Sequence, residues 1–245
     1  MNSTLIGNTF LYPPVDGYNR LAQFYSQSKW FYFWHDNEFP IISSYLKKIK
    51  PKSVLDAGCG TGIYIEPIIH YGARYTGIDI SEGMLAQARL ENANLISRYK
   101  GKITLIKASI ENFSSVEKFN TVICTRVLSH NRDFSQIIDN FDKNLTENGF
   151  LVLSDVHPLH NYQYSGFETP IGKVNIDTYK HSLNGLKNAL RKHSFRIVKF
   201  EEYNLENVIH KPSNVREFQK LYAQPENKIF YTILAEKFKT KVFIR

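Results

Sequence analysis

A glycine-rich segment constrains the fold of this 245-residue chain more than any other feature, and it reads Asp56-Ala57-Gly58-Cys59-Gly60-Thr61-Gly62. The apolar residues before it predict a short buried strand, and the apolar residues after it, from Ile63, predict a helix. Glycine tolerates unusual backbone dihedral angles and lets a ligand approach the main chain closely. A strand that turns through glycines into a helix is typical of α/β folds that bind nucleotides.

A second predicted strand, Arg74 to Ile80, ends next to an acidic residue, Asp79. Its carboxylate lies about 20 residues after the glycine turn, where an acid can accept hydrogen bonds from both hydroxyls of a ribose. Ser81 is a predicted helix N-cap, and Met84 lies on the apolar stripe of the helix that follows. The two segments together predict a site for a ligand that contains a ribose.

The spacing of the glycines distinguishes between two classes of such sites. A dinucleotide fingerprint needs a glycine at the sixth position, which is Ile63 here, so a dehydrogenase is disfavoured. An acid two residues before G-x-G-x-G resembles motif I of class I methyltransferases that depend on S-adenosylmethionine (SAM). The resemblance implies a Rossmann-like, doubly wound α/β fold. It has a seven-stranded, mostly parallel sheet with an antiparallel C-terminal edge strand, plus an N-terminal helical lid.

The same resemblance implies which residues hold SAM and its product, S-adenosylhomocysteine (SAH). Asp56 orders the glycine turn or meets the methionine ammonium through water, and Asp79 holds the ribose. Tyr18-Asn19-Arg20-Leu21-Ala22 is similar to a "YDxxA" helix whose tyrosine covers the methionine end, with Asn19 in place of the usual aspartate. The implied cofactor-binding residues are Tyr18, Asp56, Gly58, Gly60, Gly62, Asp79, Ile80, Met84, Ser109, Ile110, Thr125 and Arg126.

Histidines are the candidates for catalysis, because an acceptor nitrogen or oxygen must lose a proton and imidazole titrates near neutral pH. The first candidate is His157, whose Asp155-Val156-His157-Pro158 segment resembles an "HP" turn of some small-molecule methyltransferases. The second is His130, after the predicted fourth strand. His157 and His160 lack a third ligand at a recognisable spacing, so no metal is expected.

The chain is predicted to form a single methyltransferase domain in four parts. Residues 1–50 form an N-terminal helical cap, 51–158 the SAM-binding core, 159–177 an irregular lid segment, and 178–245 a helix and antiparallel strands. Residues 1–16 are expected to be irregular, and 204–227 a polar excursion near the pocket. The aromatic run Trp30 to His35 has two open interpretations, as a lid over the substrate or as rings packed on the core.

The net charge of +8 lies entirely in the last quarter of the chain. Residues 1–179 contain 17 basic and 17 acidic residues, whereas 180–245 contain 14 and 6. Scattered solvent-exposed lysines and arginines explain this excess more simply than an RNA-binding face. The sequence shows no apolar run of membrane-spanning length, and its two cysteines do not suggest disulfides, so a cytoplasmic protein is expected.

The acceptor is less constrained than the cofactor. Thr125-Arg126-Val127-Leu128 lacks the Asn/Asp-Pro-Pro-aromatic motif of many nucleic-acid base methyltransferases. This favours methyl transfer to nitrogen or oxygen of a small acceptor, aromatic or heterocyclic in view of the tyrosine-rich segments. Two alternatives stay open: an RNA methyltransferase that uses the basic C-terminal region, and a SAM-binding protein without catalytic activity. The sequence does not define an oligomeric state.

Overall fold

A seven-stranded sheet forms the centre of the computed structural model, which describes residues 4–6, 9–160, 162–204, 206 and 228–238. The strand order is β10-β11-β7-β6-β3-β4-β5. These strands are β3 (Ser53–Ala57), β4 (Arg74–Asp79), β5 (Ile103–Lys107), β6 (Phe119–Thr125), β7 (Leu145–Val156), β10 (Phe195–Asn204) and β11 (Lys228–Lys237). Strands β7, β6, β3, β4 and β5 are parallel, and β11 runs antiparallel to both of its neighbours.

Helices cover both faces of the sheet, as parallel strands require. The helices of the domain are α1 (Pro14–Tyr25), α2 (Lys29–Ile49), α3 (Ile65–His70), α4 (Glu82–Glu91), α5 (Ala93–Arg98), α6 (Ser135–Asn144) and α7 (Leu183–Lys192), with a 3₁₀ turn at Leu128–His130. Alternate strand residues enter two separate cores. Leu55 packs with α6 and α7, whereas its neighbour Val54 packs with α2 and α3. The fold class predicted from the sequence is confirmed.

Within the described residues, no helix combines the length and the apolar character needed to cross a membrane.

The glycine turn connects β3 to α3, and the next connection leads from β4 into α4. Pro67 lies within α3, which has only 6 residues. The Ser81 side chain accepts a hydrogen bond from the Met84 backbone N–H at 3.1 Å, which is the expected N-cap. These two connections place the carboxyl ends of β3 and β4 side by side.

Two sequence-based expectations about irregular segments are wrong. Short strands β1 (Thr4–Ile6) and β2 (Thr9–Leu11) replace the irregular N-terminus, and Pro14 begins α1, because proline fits the first helical turn.

The lid segment 159–177, predicted to be irregular, contains a hairpin of β8 (Ser165–Thr169) and β9 (Gly172–Ile176). The predicted excursion at 204–227 lies almost wholly outside the described residues.

From here on, the cap means α1 together with the β8–β9 hairpin, which is a different set of residues from the helical cap predicted at residues 1–50. Phe167, Val174 and Ile176 of the hairpin pack against Leu21 of α1, and Tyr12 pairs with Ile176. A polar clamp holds α1 to α4, because the Asn19 side-chain oxygen accepts hydrogen bonds from Ser81 Oγ (2.8 Å) and Gly83 N (2.9 Å). The cap is therefore fixed to the sheet at the carboxyl end of β4.

Gly17 allows the two parts of the cap to meet, and it provides a test of this packing. A Cβ at residue 17 would lie 2.6 Å from Ile176 Cγ1, which is fully buried. Because overpacking a core costs about 1–3 kcal/mol, we expect Gly17→Ala to lower the free energy of unfolding by that amount in urea denaturation. The control is Gly185→Ala on exposed helical surface in α7, where alanine favours the helix. Equal stability of the two variants would contradict the close approach of hairpin and helix.

Candidate active site

A cavity of about 300 Å³ lies where the carboxyl ends of β3, β4 and β6 meet the cap. Ligands of open α/β sheets bind at this edge. Eleven of the twelve residues assigned to the cofactor line the cavity; the exception is Gly62. The lining includes Tyr18, Asp56, Gly58, Gly60, Asp79, Ile80, Met84, Ser109, Ile110, Thr125 and Arg126.

The glycine turn depends on backbone conformations that other residues rarely adopt. Gly58, Gly60 and Gly62 have φ values of 81°, 54° and 78°. A Cβ at Gly58 would lie 2.3 Å from Val127 Cγ2, so the turn also passes too close to the β6 connection for a side chain. Gly62 shapes the turn from outside the cavity, where its N–H donates to the Cys59 carbonyl. The glycines therefore expose main chain to the cavity.

Asp79 connects this turn to α4. Its carboxylate accepts hydrogen bonds from Gly60 N at 2.9 Å and from Ser81 N at 2.8 Å. Burial raises the pKa of Asp79, and the backbone donors oppose that shift. Each carboxylate oxygen has a further lone pair, so the group can still accept hydrogen bonds from a ligand.

Asp56, at the end of β3, is buried and lines the same cavity. Tyr75 donates its hydroxyl hydrogen to Asp56 Oδ2 at 2.8 Å. Burial nevertheless raises the pKa of Asp56 to about 7. Asp56 thus changes its charge near neutral pH at the end of the cavity that the resemblance assigns to methionine.

Part of the cavity wall is aliphatic. Ile80, Met84 and Ile110 line it, and Ser109 lies in the turn beside them. Asn140 of α6 holds this turn, because its side-chain N–H donates to the Ile110 carbonyl at 2.7 Å. A planar ring such as a purine fits this surface of apolar side chains and one hydroxyl.

An ion pair that the sequence analysis did not predict lies between the sheet and α2. Arg126 Nε lies 2.9 Å from Glu38 Oε2, and the Glu38 side chain is fully buried. Arg126 has a positive φ of 58°, donates from Nη1 to the Tyr25 hydroxyl at 3.1 Å and lies against the Trp34 ring. Ser154 donates a hydrogen bond to the other Glu38 oxygen. Glu38 therefore compensates the Arg126 charge beside the cavity.

The two candidate histidines differ in position. His130 lines the cavity, and its Nε2 lies 2.8 Å from the Tyr18 hydroxyl. His157 is not among the described residues that line this cavity or its neighbour. Its Nδ1 accepts from Leu159 N at 3.1 Å, and its Nε2 contacts Glu202 at 2.8 Å. The geometry favours His130 over His157 as a candidate, because both His157 nitrogens already have partners in the protein.

A second cavity, of about 410 Å³, adjoins the first beneath the hairpin. The two share Trp34, Val156, Ser165 and Phe167 as lining residues. Most of the remaining wall consists of aromatic and polar side chains of the cap and the β7 connection, including Trp30, His160, Tyr162, Gln163 and Tyr164. Burial lowers the pKa of His160 to about 3, so this histidine is neutral at physiological pH.

Comparisons with known proteins agree with this geometry. Residues 55–151 match the family model described as "Methyltransferase domain". The ubiquinone biosynthesis O-methyltransferase of Rickettsia canadensis is 28% identical over 145 residues, covering 58% of this chain and 59% of that protein. The protein of the same name from Hydrogenovibrio crunogenus is 32% identical over 127 residues, covering 51% of each. The chain thus aligns with only about half to three-fifths of these curated relatives.

Solved structures show the same fold. An S-adenosylmethionine-dependent methyltransferase from Listeria monocytogenes superposes with a TM-score of 0.61 at 22% identity, covering 84% of this chain and 98% of that one. Magnesium protoporphyrin IX methyltransferase from Synechocystis, with bound SAH, gives 0.60 at 18% identity, covering 91% and 100%. Residues 55–151, which match the methyltransferase family model, include the glycine turn, Asp79 and His130. This part of the chain therefore resembles a methyltransferase domain, and the chain has the fold of SAM-dependent methyltransferases of known structure.

The high pKa of Asp56 predicts how stability depends on pH. Between about pH 4 and 7 the folded protein holds a proton on Asp56 that the unfolded chain releases, so this group makes stability fall as pH rises. The shift corresponds to at most about 4 kcal/mol. We expect Asp56→Asn to flatten the fall in unfolding free energy between pH 5 and 8, measured by urea denaturation. Glu117→Gln, an exposed carboxyl, is the control for loss of one charge; parallel profiles for all three proteins would contradict this assignment.

Proposed function

We propose that this protein transfers the methyl group of SAM to a nitrogen or oxygen atom of a small aromatic or heterocyclic acceptor. The observation that carries the proposal is the arrangement of the two cavities. One has the polar and aliphatic lining of a nucleoside site, the other has aromatic walls, and they share Trp34, Val156 and Phe167. A donor and an acceptor held in the two cavities would meet at that shared wall.

The residues present fit SAM. Asp79 provides lone pairs for the ribose hydroxyls, and Ile80, Met84 and Ile110 provide apolar contacts for adenine. Gly60 leaves room for a ligand beside the main chain. A Cβ at this residue would lie 3.3 Å from Met84 Cε and would narrow the cavity. When bound, SAM supplies a methyl group already activated by the positive charge of its sulfonium.

The protein's task is then alignment, exclusion of water and management of charge. Tyr18, Tyr25 and Trp34 present aromatic faces to the cavity, and such faces attract a cation. The positive charge of Arg126 would by itself repel a sulfonium. Glu38 Oε2 lies 2.9 Å from Arg126 Nε, and its negative charge compensates that of the guanidinium. The buried pair thus lets an arginine shape the cavity without opposing a cationic ligand.

The aromatic walls of the second cavity favour a planar acceptor. Trp30, Tyr162, Tyr164 and Phe167 offer ring faces and edges for stacking. The curated relatives named above are O-methyltransferases of ubiquinone biosynthesis, and the quinone-like or phenolic character of that chemistry agrees with such walls. We therefore expect acceptors with an aromatic ring that bears a hydroxyl or amine.

The structure gives less support to an RNA acceptor. Within the described part of the basic C-terminal quarter, Arg196, Lys199 and Lys237 lie next to acids rather than presenting isolated charges. Lys180 donates to the His160 carbonyl at 2.6 Å. Paired cations release fewer counterions on binding to phosphates, so they contribute less to affinity for RNA.

The ribose-binding role of Asp79 has a direct test. In Asp79→Asn, the amide must turn an N–H group toward Gly60 N or Ser81 N, and the charge is lost. Because a hydrogen bond to a charged group contributes about 1.5–3 kcal/mol, we expect SAH affinity to fall by roughly 10- to 100-fold in calorimetry. Glu82→Gln, at the first residue of α4 and outside the lining of the first cavity, is the matched control. An unchanged SAH affinity in Asp79→Asn would exclude this role.

Both tryptophans of the chain, Trp30 and Trp34, line the second cavity, which is the proposed acceptor site. Intrinsic tryptophan fluorescence therefore reports on whether this cavity is occupied. We expect 4-nitrophenol to quench the emission of the SAH complex in a saturable manner, whereas cyclohexanol, a ring without π-electrons, has no effect. Free N-acetyltryptophanamide gives the correction for absorbance. Quenching that is linear and equal to that of the free tryptophan amide would show that aromatic compounds do not enter the cavity.

Catalysis itself is tested with methyl-labelled SAM and fractionated cell extract, followed by mass identification of the labelled product. A labelled small aromatic product is expected. Label in RNA would support the RNA methyltransferase instead. Tight SAM binding without any labelled product would support a protein that binds SAM without catalysis.

A further inference from the structure

The hydrogen bonds of His130 define the state of its ring. Its Nδ1 lies 3.1 Å from the Asp177 carbonyl oxygen, and its Nε2 lies 2.8 Å from the Tyr18 hydroxyl. A carbonyl oxygen only accepts hydrogen bonds, so Nδ1 carries the hydrogen. In the neutral ring Nε2 is then unprotonated, and it accepts the hydrogen bond that Tyr18 donates.

The surroundings of His130 come from four parts of the chain. They are the Tyr18 phenol of α1, Arg126 after β6, Asp155 of β7 and Asp177 after β9. Enclosure in the protein lowers the pKa of His130, so the ring is neutral at pH 7. Asp155 is held by Ser129 N (2.8 Å) and Val156 N (2.7 Å), and its carboxylate favours the protonated ring. His130 is therefore neutral at rest and has a fixed acid nearby to stabilise an added proton.

Tyr18 and His130 both line the first cavity, and the Tyr18 hydroxyl is the group that contacts His130 Nε2. This hydroxyl occupies the lone pair of Nε2, and the Tyr18 and His130 rings meet edge to face at 5.2 Å between centroids. Burial raises the pKa of Tyr18, which keeps the phenol protonated, while the Arg126 charge favours a phenolate that exists only briefly. A proton from an acceptor thus reaches His130 through the Tyr18 oxygen.

We propose that Tyr18 and His130 form a two-step proton relay for the methyl acceptor. The inference rests on the proposed function. The acceptor oxygen or nitrogen forms its bond to the methyl group as the sulfur–methyl bond breaks and the electron pair of that bond stays on sulfur. The acceptor's own O–H or N–H bond also breaks, and its proton moves to Tyr18 Oη. The phenol proton moves to His130 Nε2 in the same event. The relay ends with an imidazolium, so the positive charge lost from the sulfonium appears on His130.

The test uses two variants that keep the shape of the site. Tyr18→Phe removes only the hydroxyl. His130→Gln keeps an oxygen for Tyr18 and an N–H for the Asp177 carbonyl, but it cannot take up a proton. Tyr12→Phe, a half-buried tyrosine next to the hairpin that lines neither cavity, controls for loss of a hydroxyl from this region.

The relay predicts a decrease in kcat of at least about 100-fold in both variants. It predicts SAH affinity within about threefold of wild type. The acceptor used in these assays is the unmethylated form of the labelled product identified as above. Tyr12→Phe should retain wild-type kcat. If the Tyr18–His130 hydrogen bond serves only to hold α1 against the sheet, the opposite pattern is expected. SAH would then bind more weakly to Tyr18→Phe, kcat at saturation would be unchanged, and His130→Gln would behave as wild type. That pattern would overturn the relay.

A second readout does not depend on turnover. Long-range ¹H–¹⁵N correlation spectra of the SAH complex, with the His130 signals assigned by their loss in His130→Gln, give the tautomer directly. The relay requires hydrogen on Nδ1 at pH 7 and a pKa below that of a free histidine. Hydrogen on Nε2 would overturn it whether or not an acceptor is known. Absence of methyl transfer by the wild type, with the required tautomer present, would instead refute the proposed function.

Discussion

The carboxylate of Asp79 is the interaction on which the site depends. It lies at the end of β4, yet it accepts hydrogen bonds from Gly60 in the turn after β3 and from Ser81 at the start of α4. One side chain therefore sets the distance between two consecutive strand-to-helix connections. Asn19 extends this arrangement to the cap, because it accepts from the same Ser81 and from Gly83. The turn, the helix and the cap are in this way organised around a single half-buried acid.

Charge compensation is the second theme of the site. Three acids next to the cavity, Asp56, Asp79 and Asp155, have pKa values raised by burial, and each accepts hydrogen bonds from neighbouring donors. Glu38 compensates Arg126 in the same region. A buried site with this many acids accommodates a cationic ligand more easily than an anionic one. The electrostatics thus agree with the cofactor inferred from the fold.

The parts of the structure that were predicted correctly are those with a local signal. Glycine conformation, strand alternation and the Ser81 cap are determined by residues a few positions apart, so the turn at Gly58 and the acid at Asp79 were identifiable from the sequence. The seven-stranded, mostly parallel sheet followed from the resemblance that these motifs carry. Ser109 and Ile110 also lie in the cavity, although they depart from the usual adenine-binding residues of the family.

The parts that were missed depend on long-range contacts. Glu38 pairs with Arg126, which lies 88 residues later in the sequence. The one sequence signal for this ion pair was the presence of an acid in a predominantly aromatic helix. His157 was placed before His130 as a candidate, but Glu202, 45 residues away, contacts its Nε2. The hairpin at 165–176 is stabilised by packing on Leu21 and by Tyr12, so its own sequence gave too weak a strand pattern. Propensity could not predict elements that exist only because another segment covers them.

The most direct test of the central claim is a crystal structure of the protein with SAH. The account predicts SAH in the first cavity, with both ribose hydroxyls within hydrogen-bond distance of the Asp79 carboxylate and with adenine against Ile80 and Ile110. It also predicts that the sulfur faces Tyr18 and the second cavity. An empty cavity in crystals grown at saturating SAH, or SAH bound with Asp79 directed away from its ribose, would contradict the account.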